Sequence, residues 1–482
     1  MSAEDPLPCD YTPGAKGMKA KVPISQKAAW GVGGFAENFA NNAILQMVYP
    51  VFNIGYGLSP FIIGIALSIS RVLDAFTDPP MGNWSDNSRS RWGRRRPFIF
   101  VGAFIMAAFF AIMWFPPEGA NKAVLFIYLS ISACIFYLGF TIFIIPFSAL
   151  GLELSDDYQE RATLSVYRNI PGQMANFILP WMLALLMLDT FGGEAHLGAR
   201  WIGPIAALLI LLTSLPAALV CRERFSQHKQ EPIQLKDALK YTFTNGSYIR
   251  VVGAAFLVFI GLYAAIPLMQ YINIFYIFSG DMKQAGILGG TVGTLIAFAQ
   301  IGIMPVISWL TRYFDKHKLL ALGLFTAAAG YGSTWFCFSP EMPYLQIVSL
   351  MAGNLGLCFA WLLNHPLVAD ICDDDELRTG RRREGMFSAV FGFTYKGAIG
   401  IMAIGGGLLL AWAGVDGSIP EELPSESIFR IRLIYLCVPT LCFLAAGLLM
   451  LTYPLTRERM AEIKVQLQAK RQPKEEQPFD NN

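Results

Sequence analysis

Arg71-Val-Leu-Asp74-Ala-Phe-Thr-Asp78-Pro79-Pro80-Met-Gly82-Asn-Trp-Ser-Asp86-Asn-Ser-Arg89-Ser-Arg91-Trp92-Gly93-Arg94-Arg95-Arg96-Pro97 begins inside an apolar segment and ends in a dense basic loop. Asp74 and Asp78 are four residues apart, so on a helix they share a face, one turn from each other. Arg71 lies three residues earlier on the same face. Each ionisable group at membrane depth costs ~3 kcal/mol or more. Three of them in one turn point to a use, most directly the holding of a cation. The simpler reading is an Arg71–Asp74 ion pair that locks helices.

The surrounding chain makes membrane depth the right setting. Of its 482 residues, 54% are hydrophobic and only 15% charged. Soluble domains carry about 25% charged residues. With a mean hydropathy of +0.45, the composition predicts an all-α polytopic membrane protein. The net charge of +2 carries little information, because the 37 Lys and Arg crowd into short loops. That is a topology signal, with no nucleic-acid partner implied. The eight cysteines are scattered and form no C-x-x-C pair, so no metal site, disulfide framework or cofactor is expected. Residues 1–27 are polar, with Lys16, Lys19, Lys21 and Lys27, and read as a tail rather than a cleaved leader.

A spanning helix needs about 20 mostly apolar residues. Apolar runs between polar breaks predict twelve: 28–54, 59–82, 97–116, 123–152, 163–188, 201–221, 249–278, 286–311, 319–338, 343–369, 386–413 and 428–453. The loops alternate between basic (83–96, 153–162, 222–248, 312–318, 370–385 and the tail 454–482) and base-poor. The last base-poor loop carries Asp416, Glu421, Glu422 and Glu426. The positive-inside rule puts the basic set and both termini in the cytoplasm, here of a cell inner membrane. The long connection 222–248 separates two six-span halves, 28–221 and 249–453. Glu153-Leu-Ser-Asp156-Asp157-Tyr-Gln-Glu160-Arg161 after span four is echoed by Asp370-Ile-Cys-Asp373-Asp374-Asp375-Glu376-Leu-Arg378 after span ten. Two such halves are the pattern of the major facilitator fold, whose site lies between them near the midplane.

Three blocks of residues carry a closer resemblance. Asp74-x-x-x-Asp78-Pro79, with Ser85-Asp86 to Arg96-Pro97, is the first. Pro146-Phe-Ser-Ala-Leu-x-x-Glu153-Leu, followed by Asp156, Glu160-Arg161 and Tyr167-Arg168, is the second. Ala369-Asp370, Thr379-Gly380-Arg-Arg-Arg383-Glu384-Gly385-Met386 and Lys396 form the third. Together they resemble the glycoside–pentoside–hexuronide:cation symporter family, typified by the melibiose permease, over essentially the whole chain. The resemblance implies a transporter rather than an enzyme. It implies symport of a sugar, glycoside or hexuronide with Na⁺ or H⁺, sodium being favoured. A cation-coupled carrier of a lipid-like or other non-sugar substrate is the alternative within the same fold.

The resemblance also assigns residues. Asp74 and Asp78 match the family's cation-site carboxylates. Arg168 and Lys396 match basic residues of the sugar and cation pathway, and Trp361 an aromatic of the sugar site. Asn38, Ile144 and Glu37 depart from the melibiose permease, which has aspartate, aspartate and lysine there. Glu37 and Asn38, with Asn364 near Trp361, complete the expected substrate set. Loss of acidic groups at Asn38 and Ile144 suggests tolerance of anionic sugars. Neutral glycosides stay the broader expectation if Arg168 is committed to Asp74, Asp78 or Glu37. Asp86, Arg94, Arg95, Glu160, Arg161, Asp373 and Arg381 read as a cytoplasmic gate that pairs across the halves, or simply as topology-setting charge.

Overall fold

The computed structural model describes residues 22–155, 157–223, 245–380, 384–415 and 423–471. Most of the expected N-terminal tail and central connection, Asp156, Arg381 and the end of the C-terminal tail lie outside them. Every element among the described residues is helical. In chain order, α1 is Ile24–Val48 and continues as a π-helical turn, Tyr49–Gly55. Next come α2 (Pro60–Asn87), α3 (Arg96–Ile112) and α4 (Lys122–Glu153). Helix α5 (Tyr158–Ile178) is extended by Leu179–Trp181 and Met182–Leu186, and α6 is Ala195–Val220. The second half has α7 (Gly246–Tyr271, then Ile272–Ile277), α8 (Met282–Leu310) and α9 (Lys316–Gly332). It ends with α10 (Gln346–Thr379), α11 (Glu384–Trp412) and α12 (Ser425–Leu451), and α13 (Arg457–Arg471) follows.

The twelve expected spans correspond to α1–α12, with shifted ends. Helix α2 runs to Asn87 rather than 82, and α10 to Thr379 rather than 369. An apolar-run criterion stops at the first charge, whereas a helix continues past the hydrocarbon for as long as its backbone ladder is unbroken. Nine of the described helices are long and apolar enough to cross a membrane by length and composition alone. Those falling short are α3, with 17 residues, and α1 and α5, which are diluted by amides and charges. Side chains fix several starts: Asn121 accepts from the Val124 N–H at 2.9 Å, and Asn245 from Ser247 and Tyr248, each at 3.1 Å. Gly380, with φ +70°, ends α10.

The helix pairs that pack in the first half are α3/α4, α1/α5, α2/α4, α3/α6 and α1/α6. Adding six to each number gives α9/α10, α7/α11, α8/α10, α9/α12 and α7/α12, and all five also pack. The two halves are therefore structural repeats. Small residues set the close approaches. A Cβ on Gly31 or Gly34 would strike the backbone of Tyr167 or Arg168; glycine there lets α1 and α5 touch and brings Arg168 beside Glu37.

The basic loop ties the first half together at its end. Arg95 meets Asp86 at 2.8 Å and Glu153 at 3.0 Å, and Arg94 pairs with Glu153. Arg96 donates to the Ala218 and Leu219 carbonyls at 2.6 and 2.8 Å, closing the C-terminus of α6. Glu223 accepts from the Arg94 and Arg95 N–H groups at 2.9 and 2.7 Å, a carboxylate at the N-terminus of α3. In the second half α13, within the tail 454–482, buries Met460, Ile463 and Leu467 and donates from the Arg457 N–H to Asp315 at 3.0 Å. The Lys318 ammonium and that N–H hold the Asp315 carboxyl below its usual range. Glu153 serves two arginines with little solvent around them. We predict that Glu153→Ala destabilises the protein by about 3 kcal/mol, the cost of stranding a mostly buried charge, read as a lowered midpoint of thermal unfolding in detergent.

Candidate cation and substrate site

Between the halves lies a cavity of about 900 Å³, near the middle of the helices. Six charged side chains line it: Glu37, Asp74 and Asp78 against Arg71, Arg168 and Lys396. Three negative and three positive groups balance. The other polar lining is dominated by amides, on α1 (Asn38, Asn41, Asn42, Gln46), on α5 (Asn169, Gln173, Asn176) and on the second half (Gln270, Asn273, Gln300, Asn354).

Asp74 and Asp78 face the cavity from α2 on one side, as the four-residue spacing requires. The Lys396 ammonium, from α11, lies 2.9 Å from Asp74 and bonds Asp78. Thr141 on α4 is fully buried and donates to Asp74 Oδ1 at 2.6 Å, with Asp78 Oδ1 3.2 Å away. Thr77 Oγ1 is 3.4 Å from Thr141 Oγ1. Asp74 Oδ2 touches Lys396 as a charge but takes no hydrogen bond. Two carboxylates and the Thr141 hydroxyl thus meet, with the Thr77 hydroxyl, bonded to the Asp74 backbone carbonyl at 3.1 Å, beside Thr141; oxygens of this kind suit a hard cation. Arg71 is not the partner of Asp74. Its guanidinium donates to Asn41 Oδ1 at 2.9 Å and lies 4.1 Å above the Tyr137 ring. Asn41 reaches the Tyr395 hydroxyl at 3.5 Å, and Tyr395 meets Tyr263 at 2.9 Å.

On α1 and α5, Arg168 and Glu37 form a forked pair. Arg168 Nε–H donates to Glu37 Oε2 at 2.9 Å, and Nη2 donates to Oε1 at 2.6 Å. The guanidinium lies 5.7 and 5.5 Å from the Trp30 and Phe147 ring centres. Trp361 is 48% exposed and, with His365 one turn on, faces the cavity from α10. Asn364 is buried and is not among the residues lining the cavity. Asn38 lines the cavity, its Oδ1 accepting from Asn42 at 2.9 Å. Ile144 is at the wall, one turn from Thr141.

Contacts that join the halves lie at the base-poor end and at midplane. Gln270 donates to Gln46 at 2.9 Å, and Tyr271 to Asn53. Trp181 donates to Thr294 at 2.8 Å, and Lys283 pairs with Asp189. On α2 and α11, Gly64 meets Ala403, and Pro60 meets Gly407. At the basic end Arg94, Arg95 and Glu160 pair within the first half. Arg94 and Arg95 take Glu153 and Asp86; Glu160 takes Lys27 at 2.6 Å; Arg161 donates to the Ser155 carbonyl at 2.8 Å. Asp373 lies on α10, and Arg381 lies outside the described residues.

Residue patterns alone missed Thr141, a lone threonine in an apolar run. They also missed Asn169, Gln173 and Asn176, whose four- and three-residue spacing is a readable polar stripe on α5.

The family described as MFS/sugar transport protein matches residues 29–457. The isoprimeverose transporter of Lactiplantibacillus pentosus is 24% identical over 90% of this chain and 89% of its own. The inner membrane symporter YicJ of Escherichia coli is 25% identical over 93% and 96%. Among solved structures, the inward open xylose transporter of E. coli superposes with a TM-score of 0.60 at 14% identity, covering 92% of this chain and 98% of that one. The chain belongs to the MFS/sugar transport family, with the major facilitator fold of two six-helix halves, and the glycoside–pentoside–hexuronide resemblance holds.

Because Lys396 balances two carboxylates one turn apart, its loss strands like charges. We predict that Lys396→Met lowers the stability of the ion-free protein by about 3 kcal/mol. A cation that occupies the carboxylates restores part of that loss. Thermal unfolding in choline and sodium buffers reads both effects.

Proposed function

We propose that this protein is a secondary transporter of the inner membrane that carries a neutral sugar or glycoside together with a cation, Na⁺ by preference. The observation that carries the reading is the Lys396 ammonium lodged between Asp74 and Asp78 in a cavity whose charges cancel. A cation entering that site would displace Lys396 and take oxygens from Asp74, Asp78, Thr141 and Thr77. The released ammonium would turn to a substrate hydroxyl. Substrate and ion would then stabilise each other, which is the requirement for coupling. Two hydroxyls beside the carboxylates favour sodium over a proton, since a proton needs only one carboxylate.

The lining supports a polyhydroxylated solute over a lipid-like one. Amides both donate and accept, as hydroxyls do, while an alkyl chain would leave them unpaired. The exposed face of Trp361 gives a sugar ring an apolar surface to stack on. The cycle needs no covalent step and no cofactor.

Orientation follows from the loops. The basic end, with Arg94–Arg96 and α13, belongs in the cytoplasm together with both termini, so the bonds of Gln46 with Gln270 and Asn53 with Tyr271 lie toward the outer side. Transport would rock 28–221 against 249–453, with the charged groups at the basic end, Asp86, Arg94, Arg95, Glu160, Arg161, Asp373 and Arg381, free to exchange partners across the halves when the inside closes.

Two measurements test this. A reporter fused after Asn482 is expected to read cytoplasmic, and a periplasmic reading would overturn the orientation. In membrane vesicles, Asp78→Asn and Asp74→Asn are each expected to abolish sodium-driven accumulation of a radiolabelled neutral glycoside while substrate exchange persists. Native accumulation with native ion dependence in both variants would remove the cation role.

A further inference from the structure

We infer that Glu37 sets the charge of the substrate: it is a built-in carboxylate that occupies Arg168 and thereby excludes uronic acids. The inference rests on reading the cavity as a sugar carrier's and adds a specificity-determining residue to it.

All three cavity cations are already committed. Lys396 belongs to Asp74 and Asp78. Arg71 is buried against Asn41 and the Tyr137 ring. Arg168 gives its Nε and Nη2 edge to Glu37 in the two-bond geometry by which guanidinium recognises a carboxylate. In the ion-free cavity a substrate carboxylate meets three fixed carboxylates, two cations already paired with them, and Arg71, whose guanidinium is buried against Asn41 and Tyr137. Repulsion and desolvation both oppose it.

The pair faces the cavity, with 28% of the Arg168 side chain and 31% of that of Glu37 accessible. Arg168 Nη1 is not spent on Glu37, and the Glu37 oxygens keep acceptor capacity. A donor and an acceptor side by side fit a vicinal diol, one hydroxyl accepting from Nη1 and its neighbour donating to the carboxylate. The ligand class is therefore a neutral sugar with adjacent free hydroxyls.

Removing the carboxylate should leave a prepared anion site. The Arg168 guanidinium is flanked by Trp30 and Phe147, and its backbone is pinned against Gly34. It stays where it is when Glu37 is neutralised, and it then needs a partner.

The experiment measures binding to the purified full-length protein by calorimetry, in sodium and in choline. The probes are matched methyl glycosides and methyl uronides of glucose and galactose, with methyl xyloside as the pentose. In the wild type the neutral member of a pair binds and its uronide does not compete. In Glu37→Gln the uronide gains roughly tenfold or more in affinity relative to its neutral partner, the scale of one charge-assisted bidentate contact. Glu37→Asp, which keeps the charge, remains selective for the neutral member. If Glu37→Gln cannot be purified folded, Glu37→Ala carries the same expectation. A wild type that binds uronides as well as their neutral partners, in either buffer, overturns the inference. So does a folded, neutral-binding Gln or Ala variant that still ignores uronides. A wild type that binds no member of the panel counts instead against the sugar-carrier reading.

Discussion

A lysine ammonium held between two carboxylates one helical turn apart is the constraint on which the arrangement of this protein depends. Asp74 is fully buried, and Asp78 and Lys396 are less than a quarter exposed. Charges at that depth are tolerated only in company. The company here comes from opposite halves of the chain, Asp74 and Asp78 from α2 and Lys396 from α11. The pair therefore stabilises the contact between α2 and α11 as well as the site. The same helices approach closely at Gly64 and Gly407, so the ion pair sits at the edge of a tightly packed seam. Whatever loosens Lys396 also weakens a junction between the halves. A cation that displaced Lys396 would thereby also act on the geometry of the two halves.

The rest of the polar architecture divides by location. Toward the base-poor end, polar contacts bridge the halves through Gln46 with Gln270, Asn53 with Tyr271, and Trp181 with Thr294. These are neutral bonds, each worth about 1 kcal/mol net, and the ion pair beside them, Lys283 with Asp189, is exposed and so weak as well; all are cheap to break and remake. At the basic end, strong charges are used within a half: Glu153 with two arginines, Glu160 with Lys27, Asp370 with Lys316. Apart from Lys396 with Asp74 and Asp78, the strong pairs named here lie inside each body and the weak ones between bodies, which suits rigid-body motion. Helix α13 extends this pattern, fastening the loop before α9 to the end of α10 through Asp315 and the Leu377 carbonyl.

The fold was readable because its signals are redundant. Twelve apolar runs, alternating basic loops and two echoing charged loops all point the same way, and the five packing pairs repeated six helices apart are their three-dimensional counterpart. Helix ends were less readable, since charge marks the edge of the hydrocarbon rather than the end of the helix. Asp74, Asp78 and Lys396 stood out because a charge in an apolar run is improbable without a purpose. Arg71 looked like the partner of Asp74 at three residues' spacing, but side chains on one helix do not choose partners alone. Asn41 and Tyr137 come from α1 and α4 and claim it. Thr141 was invisible for the opposite reason: threonine commonly satisfies its hydroxyl on its own helix, and only the approach of α4 to α2 reveals that this one bonds Asp74. Asn364, three residues after Trp361, is buried, and its spacing from Trp361 alone does not tell whether it reaches the cavity wall.

The helices that read least well as membrane spans are informative for the same physical reason. Helices α1 and α5 carry Glu37, Asn38, Asn41, Asn42, Arg168, Asn169, Gln173 and Asn176, a polar load that lowers their apolarity below that of an ordinary span. Such a helix is stable in a bilayer only if its polar face is turned to another protein surface or to water. Glycine lets α1 and α5 pack backbone to backbone, and the Arg168–Glu37 fork cancels their two charges across that contact. What remains facing the cavity is mainly amides, neutral groups whose hydrogen-bonding capacity can be met by water when the cavity is empty and by hydroxyls when it is filled. An amide exchanges one for the other at small cost, whereas a bare charge would hold its water or its ligand too tightly to turn over. The departure from apolarity that makes these helices hard to recognise is thus the property that lets a carrier both bind a polyhydroxylated solute and let it go.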